Sequence, residues 1–181
     1  GVSQSSSITT DVITAFKARV ALGMKGYDTA RIAAEAVIAT KKYTLVSNAN
    51  AYAQGWINDN LSETIFQLAM INSTEVGNAY SYFLYNTSGL EGRDNPQYIP
   101  EDWVLALYDK NKDIRYAAYF DERTVTTPVV GNLTLLIKYP GNPKLYTNVT
   151  NYCNMPKVFR ASEMYLIAAE AEYLSPNGSI A

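Results

Sequence analysis

A mainly helical α+β fold is what this sequence predicts, with helical hairpins at both ends and a short mixed middle that contains a β-hairpin. Three observations carry that expectation. Apolar and alanine residues recur at helical spacing over residues 9–41 and 157–174. Between them the alternation falls to period two, and Gly131-Asn132 separates two apolar runs. A hydrophobic content of 48% in 181 residues is enough to bury a core of ordinary size.

Residues 1–7 are polar, with neither a basic nor an apolar leader region, and read as a disordered start; a signal peptide or lipid anchor is expected to precede them. A partial domain then occupies residues 8–181. Thr9 or Thr10 can cap a helix of roughly three turns on which Val12, Ala15, Phe16, Arg19 and Val20 share a face that Leu22 closes. Gly23 and Gly26 interrupt the pattern. Asp28 then caps a second helix with a buried stripe of Ala30, Ala33, Ala34, Val37 and Ile38, completing a hairpin over 9–41. Residues 22–30 resemble the tetratricopeptide turn, where a small residue permits close approach and an alanine lets the second helix pack. Glu170-Ala171-Glu172-Tyr173-Leu174 before Gly178 parallels Ala18 to Leu22, 152 residues later.

The middle, 42–154, is expected to mix strands and loops. Tyr43 to Val46 reads as a short strand, and residues 64–70 place Phe66, Leu68 and Met70 on one strand face. Residues 72–98 are polar and glycine-bearing, a loop. Pro100 at a first helical position, with Glu101 and Asp102 behind it, starts a helix to about Tyr108, on which Trp103 and Leu107 lie four apart and read as core. Residues 125–130 and 133–139 form a hairpin around Gly131-Asn132, with Pro128 on an edge strand. The last helix, 157–174, carries Met164, Ile167, Ala168 and Ala171 on a face that awaits a mate beyond Ala181, so the domain is expected to be truncated there.

Composition narrows the chemistry. A net charge of -2 with mixed signs offers no footprint for a phosphate backbone or an anionic membrane surface, which excludes nucleic acid as an expected partner. No apolar run is long enough to span a bilayer. Cys153 stands alone and reads as a buried apolar thiol. The absence of histidine removes the usual general base, the imidazole metal ligand and the common nucleophile triads, so no catalytic residue, metal or cofactor is expected. Asp109-Lys110-Asn111-Lys112-Asp113 begins like a calcium loop, but Ile114 and Phe120 replace its glycine and its bidentate glutamate. Glu91, Asp94, Glu101, Asp102, Asp121 and Glu122 could supply an acid pair for glycoside hydrolysis, with no spacing that selects one. Arg160, Glu163 and Glu170 read as a polar ladder on one helix face, and Asp113 and Arg115 as loop-fixing groups that do not face each other.

Fifteen tyrosines and two tryptophans remain. Such rings stack on the C–H faces of sugars while amides and carboxylates meet the hydroxyls. The candidates are Trp56 in a polar surround, Tyr80, Tyr82 and Tyr85 in the long loop, and Tyr98 at its end. Tyr80 and Tyr82 could equally anchor that loop to the core.

Five phrases in order resemble the SusD/RagB family: the hairpin from Ala18 to Ala36, Lys42-Tyr43-Thr44-Leu45, Glu63-Thr64-Ile65-Phe66, Asp113-Ile114-Arg115, and Lys138-Tyr139 ahead of the last helix. That helix, with Pro156, Arg160, Glu163-Met164-Tyr165-Leu166 and Ala169-Glu170-Ala171, is the most specific. The resemblance covers a central stretch of a family member. It implies a non-catalytic lipoprotein on the outer membrane of Bacteroidetes-type bacteria, exposed at the cell surface. Such a protein captures a nutrient, most often glycan, for a TonB-dependent transporter that its tetratricopeptide-like helices face. Two other readings stand beside this one: a fragment whose helical face docks the transporter while ligand binds elsewhere, and a glycoside hydrolase.

Overall fold

The computed structural model of the chain describes residues 4–70, 96, 98–125, 131–145 and 154–178. They belong to two compact units. The first gathers Gly1–Leu45, Ser62–Ala69 and Pro156–Ala181; the second gathers Val46–Leu61 and Met70–Met155.

The first unit is a layer of three helices edged by two strands: α1 (Thr10–Gly23), α2 (Tyr27–Ala39), β1 (Thr64–Gln67), β4 (Lys157–Arg160) and α6 (Ala161–Leu174). Thr9 caps α1 by accepting from the Val12 amide at 3.4 Å. The turn into α2 bends at Lys25, whose φ of 61° is left-handed, while the Gly26 amide donates to the Ala21 carbonyl at 2.8 Å. Gly26, not Asp28, occupies the cap of α2. Asp28 instead accepts from the Ser175 hydroxyl at 2.7 Å and from the Asn177 amide at 3.2 Å, tying the end of α6 to the start of α2. Those bonds hold its carboxyl below the usual range.

The core of this unit is small-grained. Ala15, Ala18, Ala30, Ala33, Ala34, Val37, Met164, Ile167 and Ala171 are buried together, with Ile65 and Phe159 from the strands. Facing alanines let helix backbones approach closely, so α1 buries Val12 and Ala15 of the expected face together with Ala18, and leaves Phe16 and Val20 outside. The apolar face of α6, expected to await a helix beyond Ala181, is buried here against α2.

Strands β1 and β4 are antiparallel, with Thr64 opposite Arg160 and Gln67 opposite Lys157, and with register shifts between. Of the expected face, Phe66 packs partly buried against the core while Leu68, past the end of β1, is exposed, and Ile65 is buried as well. Residues 157–160 are therefore strand rather than the first turn of the last helix, and Tyr43 to Val46 forms no strand. Gln4–Ser6 form a short 3-10 turn, and the Gln67 amide donates to the Ser5 hydroxyl at 3.0 Å.

Ion pairs join the elements. Arg160 donates to Glu63 at 2.8 Å, with the Glu63 side chain only 3% exposed. Glu163 pairs with Arg19, whose guanidinium lies 4.0 Å from the Phe159 ring centroid. The expected ladder along one helix is thus two separate pairs, because Arg160 precedes α6.

The second unit contains α3 (Ala49–Ile57), α4 (Asp102–Leu105), α5 (Ile114–Tyr119), β2 (Phe120–Val125) and β3 (Gly131–Leu136). Asn48 caps α3 by accepting from the Ala51 amide at 2.9 Å. β2 and β3 are antiparallel, from Phe120 opposite Leu136 to Val125 opposite Gly131. The hairpin exists but sits earlier than expected: Gly131 and Asn132 lie in β3, and 126–130, with Pro128, fall outside the described residues. Cys153 lies outside them too.

Candidate ligand site

The second unit is built around rings. Tyr52 and Trp56 from α3, Tyr119 from α5, Phe120 from β2 and the following Tyr139 meet at ring-centroid distances of 5.2–6.4 Å, mostly edge to face. The hydroxyls of Tyr52 and Tyr119 lie 2.5 Å apart inside this cluster. Trp56 is 1% exposed, so the exposure expected of it does not hold. Its polar neighbours in sequence belong to an amphipathic helix, α3, that turns Tyr52, Gly55 and Trp56 inward. Gly55 has a packing reason: a Cβ there would stand 2.6 Å from the Leu61 side chain.

A buried polar network fixes the far wall. Asp59, left-handed at φ 54°, accepts from the Asn142 amide at 2.9 Å, the Asn154 amide at 3.2 Å and the Met155 backbone N–H at 3.0 Å. Asn154 also donates to the Trp56 carbonyl at 3.0 Å and accepts from the Gly141 N–H at 2.6 Å. Asp is one of the few residues that enter the left-handed region readily. The result anchors the segment after β3 beneath the end of α3. Lys138 on that segment lies over the rings, its ammonium 4.8 Å from the Trp56 and Tyr119 centroids and 5.9 Å from that of Tyr139.

Beside this cluster is a cavity of about 340 Å³, bounded by Tyr98, Ile99, Pro100, Val104 and Tyr108 together with Tyr119, Phe120, Leu136 and Lys138. Its volume lies at the lower end of the small-molecule range of roughly 300–1,000 Å³. The wall is mainly apolar and aromatic, and the lining residues that carry polar groups are three tyrosines and Lys138. Tyr98 is 66% exposed. Tyr108 is steadied from outside: Arg115 stands 5.2 Å above its ring while bound bidentately to Asp113. Asp113 caps α5 from outside the helix, which is why it and Arg115 do face each other at a spacing that forbids it within a helix. The guanidinium holds the Asp113 carboxyl below its ordinary range.

Of the five aromatic candidates, the structure places Tyr98 at the cavity and Trp56 behind it; Tyr80, Tyr82 and Tyr85 lie outside the described residues. Trp103 corrects the expectation most sharply, at 68% exposed with Leu107 at 69%. α4 is a single turn, and it turns Val104 and Leu105 inward instead. The segment offers two apolar faces, and sequence spacing does not choose between them. Lys138 stood in the sequence only as part of the phrase Lys138-Tyr139 and Tyr108 only as a helix end, neither as a site residue.

Among the described residues the cavity wall carries no carboxylate. Glu101 and Asp102 are exposed, Asp121 is held by Arg123 at 2.8 Å, and Glu122 faces Lys110 at 3.8 Å; Glu91 and Asp94 lie outside the described residues. Asp109 accepts from the Asn111 and Lys112 amides at 3.0 and 3.3 Å, a turn made by its own carboxylate.

The first unit has a polar cavity of its own, about 360 Å³, bordered by Asp11, Lys42, Tyr43, Ser62 and Thr64. Its charges satisfy each other: Asp11 accepts from Lys42 at 2.8 Å and from the Tyr43 hydroxyl at 3.0 Å. The Lys42 bond draws the Asp11 carboxyl below its usual range, while burial, reinforced by Asp11, pushes the Tyr43 hydroxyl up to about 12.

No family model matches the chain, and no curated protein sequence matches it. Solved structures do. A SusD-like carbohydrate-binding protein of Bacteroides vulgatus superposes with a TM-score of 0.68 at 17% identity, over 94% of this chain and 34% of that one. A SusD superfamily protein of Bacteroides thetaiotaomicron gives 0.64 at 25% identity, over 96% and 39%; another from Bacteroides vulgatus gives 0.62 at 22%, over 97% and 39%. The chain therefore has a SusD-like, mainly helical α+β fold over nearly its whole length and spans between a third and two fifths of these neighbours.

Proposed function

We propose that this SusD-like chain is part of a non-catalytic binding protein that holds glycan in the aromatic cavity of its second unit. The observation that carries the reading is Tyr98: a ring two-thirds exposed, lining a cavity whose wall is mainly apolar and aromatic. One face of a sugar can stack there while the rest enters the cavity. Trp103, exposed on the same short stretch, adds a second platform outside it. The neighbour whose name records carbohydrate binding supports the substrate class. Delivery to a TonB-dependent transporter, a cell-surface position on the outer membrane and a lipid anchor are parts of the same proposal, supported by the family resemblance.

The test is affinity electrophoresis of the full-length protein against a polysaccharide panel, with each glycan sized afterwards. Retardation with glycan length unchanged, reduced about tenfold in affinity by Tyr98→Ala, is the expected result. Shortened glycan would make the protein an enzyme, and retardation indifferent to Tyr98→Ala would move the site elsewhere.

A second reading has its own observation. Ile13, Phe16 and Val20 on α1, and Tyr165, Leu166 and Tyr173 on α6, are exposed apolar side chains on helices. They suit a protein partner, the transporter in this proposal. Phe16→Asp abolishing co-purification with the transporter while glycan binding persists is the result that would favour it.

A further inference from the structure

We infer that the cavity of the second unit takes an apolar acyl group esterified to a glycan, while the sugar ring that carries it stays against Tyr98. This rests on the proposed glycan-binding role and adds to it which part of the ligand enters. The wall has little to offer a hydroxyl. Ile99, Pro100, Val104, Phe120 and Leu136 present hydrocarbon, and proline has no amide to donate. Phe120 and Leu136 are register partners in the hairpin, and the carbonyls of Val104 and Tyr119 already accept from the Leu107 and Ile137 amides at 3.2 and 2.6 Å. The Tyr119 hydroxyl meets that of Tyr52. The Lys138 ammonium is held over three rings, of which Trp56 and Tyr139 lie outside the lining.

That wall separates the parts of a substituted sugar. A pyranose carries hydroxyls around its ring, and each one buried without a partner loses its bonds to water and gains none. An acyl group carries a single carbonyl and otherwise buries apolar surface, which is favourable in proportion to its area. The lining suits a substituent on a solvent-facing ring, because Tyr98 and Ile99 are exposed whereas Tyr119 and Phe120 are buried in the aromatic cluster. Tyr108 meets Tyr119 and Phe120 edge to face, at 80° and 74°, and Tyr119 meets Phe120 at 77°. An aromatic acyl group extends that packing, and a cavity of about 340 Å³ is larger than an acetyl group needs.

The experiment compares each substituted polysaccharide with the same chain stripped of its esters, so that sugar stereochemistry is held constant. Acetylated xylan and acetylated galactoglucomannan are paired with their deacetylated forms, and feruloylated arabinoxylan with its product after feruloyl esterase, by affinity electrophoresis of the full-length protein. The wild type is expected to bind at least one substituted member about tenfold or more tighter than its bare twin, the effect of burying two or more carbon groups. The larger ratio is expected for ferulate. A difference in either kind of pair upholds the inference and tells acetyl from aryl. Val104→Trp, which fills the cavity from a half-buried position, is expected to erase the difference, and Val104→Ala, which leaves the space open, to keep it. Near-UV circular dichroism checks that the aromatic cluster survives in Val104→Trp; if it does not, Ile99→Trp, at an exposed lining position, takes its place. A difference that survives the filling variant in a folded protein would overturn the inference. Equal binding of substituted and bare twins, still sensitive to Tyr98→Ala, would also overturn it and leave the glycan site standing. No binding of any member would overturn both.

Discussion

The two units solve the burial problem with opposite materials. The first packs three helices through alanines, so that backbones rather than large side chains set the spacing, and joins its elements by ion pairs such as Glu63 with Arg160. The second uses short elements that could not hold together alone, and packs them on a cluster of tyrosine, tryptophan and phenylalanine rings pinned by the amides of Asn142 and Asn154. The difference separates a repetitive scaffold from a surface whose shape depends on a few large residues. The cavity with Tyr98 is in the second kind.

The comparison breaks most visibly at Trp56. Trp56→Ala removes a buried ring that touches Tyr52, Tyr119 and Tyr139 and should cost about 3–5 kcal/mol. In urea titrations its near-UV signal should then disappear before the far-UV helical signal, because the helices α1, α2 and α6 lie in the other unit. Coincident loss of both signals would mean that the two units unfold as one. Glu63→Ala strikes the first unit by leaving Arg160 without its buried partner. A loss of about 3 kcal/mol is expected, the low end for a broken buried pair because the Arg160 side chain remains 24% exposed. Here the far-UV midpoint should move first.

Smaller effects come from pH. Asp11 is more acidic in the folded chain, so the stability it contributes is complete above its ordinary value of 3.8 and is lost as pH falls through its lowered one. Tyr43 is less acidic, so its contribution is complete below 10 and is lost as pH rises toward about 12. The Asp11 contribution is worth under about 1 kcal/mol, since Lys42 is 63% exposed. Tyr43→Phe should flatten the alkaline arm of a melting-temperature profile and leave the acid arm in place; an unchanged alkaline arm would remove Tyr43 as its cause. Smallest of all for stability is Trp103→Ser, expected within about 0.5 kcal/mol of the parent because the ring is exposed. A larger loss would show that Trp103 belongs to the core after all.

What could be read from sequence follows the same division. Helical spacing alone found the α2 stripe Ala30, Ala33, Ala34 and Val37 and the face Met164, Ile167 and Ala171, because a helix of three or more turns repeats its signal. On α1 it found Val12 and Ala15 but took Phe16 and Val20 with them and missed Ala18, because the alanine is less hydrophobic yet allows close packing. Short elements repeat nothing. α4 offered two faces, β1 packed Ile65 as well as Phe66 and ended before Leu68, and Trp56 took its polar neighbours for an exposed loop when they were one side of a helix. Of the candidate site, Tyr98 was legible as a loop aromatic. Lys138 was not, because its place depends on Asp59 and Asn142, residues 83 positions apart that no local pattern connects.

Strands β1 and β4 have one more consequence. Gln67 and Lys157 are register partners, so the chain leaves and re-enters the helical unit side by side, while α3, the other part of the second unit, is reached through separate connections at Leu45 and Ser62. Closing a long loop costs only slightly more than closing a short one, about 0.6 kcal/mol for each doubling of length. Mutation and recombination can therefore lengthen, shorten or exchange the intervening segment at little expense to the alanine-packed helices. The condition is that the rings and Asp59 of the α3 segment, which lies outside the exchanged segment in sequence, keep their partners within it.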